Sequence, residues 1–298
     1  MNKLVIPISF LLFLISCKSE VEVTEPAHSD SSDDTLNVFV EDTLVEESEL
    51  IEIDYDQYYS LAYGYANSRG EKLMMLEKPD GTNPESYEYA INKSGTLSRI
   101  ESLGHQESNE DDTHRDNQYN FENTEGYLFT MNDGIADEWA STLFLTEEFK
   151  GQRVLLSAGK KIRADLEAVD INRIETEKVR KFKSHSLVNF YEGFGSLYFV
   201  EFEKENDSCL VSLAWITTGQ ITYLDFPAKY DEMSTWRVDD GGVFDFSYYN
   251  VIAVFDSNNG IEIMTDWTGA EGSSINYLLA VGSSFESVGG AYRYQAPN

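Results

Sequence analysis

Cysteine is nearly missing from this chain: two stand among 298 residues, Cys17 and Cys209. A disulfide framework is therefore not what holds the fold. Positive charge is also short, with 22 Lys and Arg against 53 Asp and Glu and a formal net charge of -31. That balance argues against a nucleic-acid partner, since phosphate binding needs a basic surface, and it sets the bare polypeptide against anionic membranes. No apolar run reaches the about 20 residues that a membrane-spanning helix needs; the stretch 4–15 is broken by Pro7 and Ser9 and gives out at Lys18 and Glu20. Catalytic signatures are missing too. There is no Gly-x-Ser-x-Gly elbow, no His-Glu-x-x-His helix and no Cys-x-x-Cys pair, and Gly193-Phe194-Gly195 lacks the third glycine of a dinucleotide loop. Neither a cofactor nor a metal centre is expected.

What is present begins with Lys3, the apolar stretch 4–15 and a small Ser16 before Cys17. This is the layout of an export signal. Leu14-Ile15-Ser16-Cys17 resembles the lipobox of bacterial lipoproteins at all four positions. The resemblance implies a signal peptide over 1–16, cleavage before Cys17, a diacylglyceryl group on its thiol and further acylation of the new amino terminus. One acyl chain holds a protein reversibly, at about 0.8 kcal/mol per buried CH₂, whereas two or three make a durable anchor. The membrane is thus an expected partner through lipid alone, and the expected place is the bacterial cell envelope, at the outer membrane. Between Glu20 and Asp56 acids recur and no Lys or Arg occurs, so 17–54 is expected to be an extended acidic linker. Its start, Lys18 followed by acids, resembles the surface-export signal of Bacteroidota lipoproteins, with Ser19 as an interruption. Asp34-Thr35-Leu36 and Asp42-Thr43-Leu44 resemble the O-glycosylation motif of that group, which makes Thr35 and Thr43 candidate acceptors.

From Tyr55 onward the composition turns aromatic, with 18 Tyr, 17 Phe and 4 Trp in the chain. Asn67-Ser68-Arg69-Gly70, Asn92-Lys93-Ser94-Gly95 and Asn258-Asn259-Gly260 each separate two apolar runs, and Asn123-Thr124-Glu125-Gly126 precedes a further one. Asn and Gly tolerate the positive φ of tight hairpins, so antiparallel pairs are expected there. Alternation over 197–203, with apolar runs at 209–217 and 221–226, gives three more strands. The fold class is therefore mainly β (α+β): a hairpin meander or sandwich-like sheets with one to three helices, in an ectodomain 55–298 that divides into 55–150 and 151–298. One helix is expected from an Asp133 cap through Ile135, Ala136, Trp139, Ala140, Leu143 and Phe144 to Gly151, with Trp139 in the core. A second follows from Ile162, Leu166 and Val169 in the basic stretch 160–183, with a further helix or a strand after it. Those basic side chains are expected to dock on the protein's own acids. Cys209 lies in a strand-like run and is expected as a small buried hydrophobe. His105, Glu107 and the acids to Asp116 are ligand-type residues without a ligand spacing, and read as a solvated loop.

Two loops combine aromatic, carboxylate and glycine. One is Trp236-Arg237-Val238-Asp239-Asp240-Gly241-Gly242, the other Asp266-Trp267-Thr268-Gly269-Ala270-Glu271-Gly272. Trp236, Arg237, Asp239, Asp240, Asp266, Trp267 and Glu271 are the candidate ligand-binding residues, because sugar-binding faces and glycosidase clefts use this mixture. The leading expectation is a non-catalytic envelope lipoprotein that binds a glycan or a protein ligand or serves a structural role. The alternative is a tethered hydrolase using paired carboxylates such as Asp239, Asp240, Asp266 or Glu271, which requires two of them about 5–9 Å apart.

Overall fold

A computed structural model describes residues 53–92, 95–159 and 165–295. Cys17, Thr35, Thr43 and the acidic linker up to 52 lie outside them, as do Lys93, Ser94 and Ile162.

After an opening 3-10 turn (Tyr55–Ser60), six strands close a barrel: β1 (Ala62–Ala66), β2 (Lys72–Met75), β3 (Tyr87–Ile91), β4 (Leu97–Gln106), β5 (Gly126–Met131) and β6 (Ser141–Thr146). Their order is β1-β2-β5-β4-β3-β6, with β6 paired back to β1. Small residues make so narrow a closure possible. Ala62, Gly64 and Ala66 alternate toward the interior, which Leu73, Ile100, Phe129 and Phe144 fill. Tyr63, on the other face of β1, packs outward into a second core.

That second core joins the barrel to a nine-stranded sheet. Behind a short helix α1 (Glu147–Gly151) come β7 (Arg153–Leu155), the helix α2 (Ala168–Lys178), β8 (Phe182–Tyr191), β9 (Gly195–Phe202), β10 (Ser208–Ile216) and β11 (Ile221–Lys229). The chain ends in β12 (Tyr249–Ser257), β13 (Gly260–Thr268), β14 (Gly272–Val281) and β15 (Ser284–Tyr294). The sheet order is β7-β12-β13-β14-β15-β11-β10-β9-β8. Every pairing is antiparallel except one: β11 meets β15 in parallel, through the single pair Tyr223 and Ser284. At this crease the sheet curls into a half-barrel, so that Val254, Ile263 and Leu278 from one half meet Phe199, Val211 and Leu213 from the other. The outer face of β12–β14 packs on the barrel through Phe255, Met264 and Tyr277. The outer face of β8–β11 is covered by Ile174 of α2.

A buried ion pair pins the barrel's entry turn to the sheet. The Glu262 carboxylate accepts from Arg153 Nε at 2.6 Å and from the hydroxyls of Tyr58, Ser257 and Tyr277 at 2.8, 2.8 and 2.7 Å. All of its lone-pair directions are engaged, which is what makes a charge tolerable at zero exposure. Burial and the neighbouring Glu262 push the Tyr58 hydroxyl up to about 12.

The mainly β, antiparallel fold and its hairpins agree with the periodicity. Asn67 shows why its turn forms: its carbonyl accepts from Gly70 N, and its side chain accepts from the amides of Glu71 and Lys72. Two helix expectations need correction. The segment from Asp133 is not a helix. Residues 141–145 are buried on both faces as β6, because pairing with β1 and β3 closes the barrel and outweighs a helical spacing of apolar residues. Only α1 follows, capped by the Thr146 hydroxyl on Phe149 N. Trp139 and Ile135 are 54% and 77% exposed, so neither is core. In the second helix, Leu166 is buried ahead of its start and Val169 is exposed; Ile174 makes the inward contact instead. Three of the described basic side chains fold onto the protein's own acids: Lys178 on Asp225 and Lys183 on Glu201 at 2.7 Å, and Lys181 on Glu175 at 2.9 Å. Cys209 is buried and free.

Candidate functional site

The connection 230–248 runs from β11 to β12, which are not neighbours: β13, β14 and β15 stand between them. At roughly 4.8 Å per strand such a crossing cannot be a tight turn. The loop therefore passes over one end of the half-barrel. Its carboxylates organise it. Asp231 Oδ1 accepts from the amides of Met233 and Ser234. Asp240 accepts four, from Thr235 and Gly242 on one oxygen and from Trp236 and Arg237 on the other, at 2.6–2.9 Å. Partial burial pushes Asp240 up, but these four amides outweigh it and hold its carboxyl below the usual range. Asp239 beside it takes a left-handed backbone, φ 57°, a conformation that Asp tolerates better than most residues.

This loop and the end of β13 enclose a cleft of about 140 Å³, lined among others by Trp236, Arg237, Asp239, Asp240, Tyr248 and Trp267. The two tryptophans meet through one ring. Phe244 lies 5.5 Å from Trp236 and 5.6 Å from Trp267, and Phe226 of β11 supports Trp267 at 5.3 Å. The Trp236 indole N–H donates to the Phe226 carbonyl at 3.0 Å, which fixes the ring in the wall. The Arg237 guanidinium lies 3.6 Å over the Tyr248 ring, and its Nε is buried without a hydrogen-bond partner. Ser247, through its side chain and amide, and more weakly Arg237 keep Asp245 below the usual carboxylate range. The wall is thus aromatic, with the charged side chains of Arg237, Asp239, Asp240 and Asp245 beside it.

Five of the seven candidate residues come together here: Trp236, Arg237, Asp239, Asp240 and Trp267. Asp266 does not. Successive strand residues point to opposite faces, so with Trp267 in the cleft Asp266 faces the barrel. There it is 1% exposed, and its Oδ2 accepts from Ser141 N at 3.1 Å. Glu271 also stays outside the cleft, exposed at the β13–β14 turn. Its carboxylate stands close enough to Tyr292 to help burial push that hydroxyl up. Phe244, Asp245 and Tyr248 were not among the expected residues. Their signal was the aromatic run from Phe244 to Tyr249, set between the loop acids and a strand.

Elsewhere, His105, Glu107 and Glu125 are the group among the described residues able to present three ligand atoms together. The two carboxylates face different ring nitrogens, at 3.2 and 3.4 Å, on opposite sides of the imidazole. Among the described residues no helix is long and apolar enough to cross a membrane. No family model, no curated protein and no solved structure matches this chain, so the chemistry of the cleft rests on its own geometry.

Proposed function

We propose that this chain is an outer-membrane lipoprotein, anchored by lipid on Cys17, whose ectodomain binds a glycan or protein ligand without catalysis. The observation that carries the reading is the union of two sequence-distant tryptophan loops in one cleft that Arg237 and Asp239 also line. A preformed concave site with an aromatic wall and few polar groups is the usual form of a ligand pocket. The hydrolase alternative finds less support. Asp240 is engaged by four amides and Asp245 by Ser247, which favours the charged form of both, whereas a general acid needs a raised pKa. Asp266 and Glu271 do not line the cleft.

The test is a thermal-shift screen of the full chain, held in a non-glycosidic detergent, against glycans and peptides. Saturating ligand raises the melting temperature of the wild type. Trp236→Ala and Arg237→Ala each lose that shift by at least about tenfold in apparent affinity, since hot-spot aromatics and arginines carry roughly 2 kcal/mol or more. A shift retained by both variants removes the cleft from consideration. The anchor is tested separately: Cys17→Ala stops uptake of labelled fatty acid and releases the protein from the membrane fraction, and persistence of either in the variant rules out lipidation at Cys17.

A further inference from the structure

Tyr249 pairs with Trp267 across β12–β13, Trp267 with Ser274 across β13–β14, and Ser274 with Tyr292 across β14–β15. Directly paired residues share a face of the sheet, so these four form one cross-strand row. The row starts in the cleft at Trp267 and leaves it. Ser274 is exposed, and Tyr292 is 54% exposed. Among the described residues this end stays open to solvent, and β11 pairs with β15 only at Tyr223 and Ser284. Two strand spacings put Tyr292 roughly 10 Å from Trp267, with the small Ser274 as the floor between them. Glu271 stands beside Tyr292 at the outer end.

We propose that the cleft is the closed end of an open groove, and that the groove binds a linear, uncharged glycan chain with one sugar against Trp267 and a later one against Tyr292. This deepens the binding reading and rests on it. Three observations select the occupant. The cleft, at about 140 Å³, is small beside the roughly 300–1,000 Å³ of pockets that engulf whole ligands, so it suits one ring of a longer molecule. From Trp267 outward the row sets the short hydroxyl side chain of Ser274 between two aromatic ones, a surface against which pyranose faces can stack. The charges are mixed: the Arg237 guanidinium disfavours a basic chain, the net charge of -31 disfavours an acidic one, and a neutral polyol suits a cleft lined by both Arg237 and Asp239.

The experiment is calorimetric titration of the full chain, in a non-glycosidic detergent, with glucose- and N-acetylglucosamine-based series from monosaccharide to hexasaccharide, and with an oligolysine peptide. Affinity is expected to rise at least about tenfold along one sugar series, as a second stacked ring adds its contact. Tyr292→Ala removes that gain and leaves monosaccharide affinity unchanged; Tyr292→Phe, which keeps the ring, keeps the gain. Equal affinity at all lengths, or a gain that survives Tyr292→Ala, overturns the groove while the cleft stands. Binding of oligolysine in place of sugar overturns the choice of a glycan. Absence of binding by every sugar overturns the proposal, and the cleft's wider role is then decided by the peptides of the thermal-shift screen.

Discussion

Asp240 reads in the sequence as a ligand carboxylate and acts in the structure as the knot of a loop. Its four amide donors align Trp236 and Arg237 along one wall, so its effect on binding is positional. Asp240→Asn exchanges a charged acceptor for an amide whose NH₂ opposes two of those donors. The expected cost is about 1–2 kcal/mol of stability, kept modest because the group is partly solvated. Chemical denaturation measures it, and an unchanged midpoint would show that the loop does not depend on Asp240. The folded pKa of Asp240 lies below its unfolded value, so its contribution is complete above the ordinary carboxylate range and fades as pH falls through the lowered one. The melting-temperature gap between wild type and Asp240→Asn should therefore be full above about pH 4 and narrow as pH falls below it. Asp266 makes the opposite point at the same scale: one step along a strand from Trp267 carries it through the sheet, out of the cleft and against the barrel.

At the scale of the element, β1 and β6 decide whether the barrel closes. Gly64 sits between Ala62 and Ala66 on the inner face, and a methyl group there would collide with the Met74 carbonyl and lie 2.8 Å from the Phe144 ring. The backbone clash is not one that a side chain can relieve by turning. Gly64→Ala is expected to destabilise the protein by about 2–3 kcal/mol, as overpacking does, read as a lower urea midpoint. A neutral outcome would mean that the barrel is looser than its packing indicates. The connection 230–248 is the second decisive element. It is long because β11 and β12 are separated by intervening strands, and this length supplies Trp236, Arg237 and Phe244 at the mouth of the half-barrel.

For the whole molecule, the charge of -31 is the dominant electrostatic fact, and Lys178, Lys183 and Lys181 are already paired with Asp225, Glu201 and Glu175. Self-repulsion of this kind is relieved by salt. Raising NaCl from about 0.01 M to about 0.15 M shortens the screening length from about 30 Å to about 8 Å. About 1 kcal/mol of relieved repulsion corresponds to a rise of about 2–4 °C in melting temperature. A flat response in differential scanning calorimetry would show that the acids are dispersed enough not to interact. The sequence by itself determined that the fold is mainly β, the hairpins at Asn67 and Asn258, and the burial of Cys209. Alternation, turn residues and apolar runs are local, and each acts within a few residues of itself. It also marked both tryptophan loops, because aromatic, carboxylate and glycine side chains stand out in a short window. Only the tertiary structure decided that β6 is a strand, since its partners β1 and β3 lie far away in the chain. The meeting of Trp236 and Trp267 around Phe244 likewise waited on the curl of the sheet, and the exclusion of Asp266 on the face that β13 turns toward the barrel. These outcomes depend on long-range pairing and on which side of a sheet becomes core, and no local pattern carries that information.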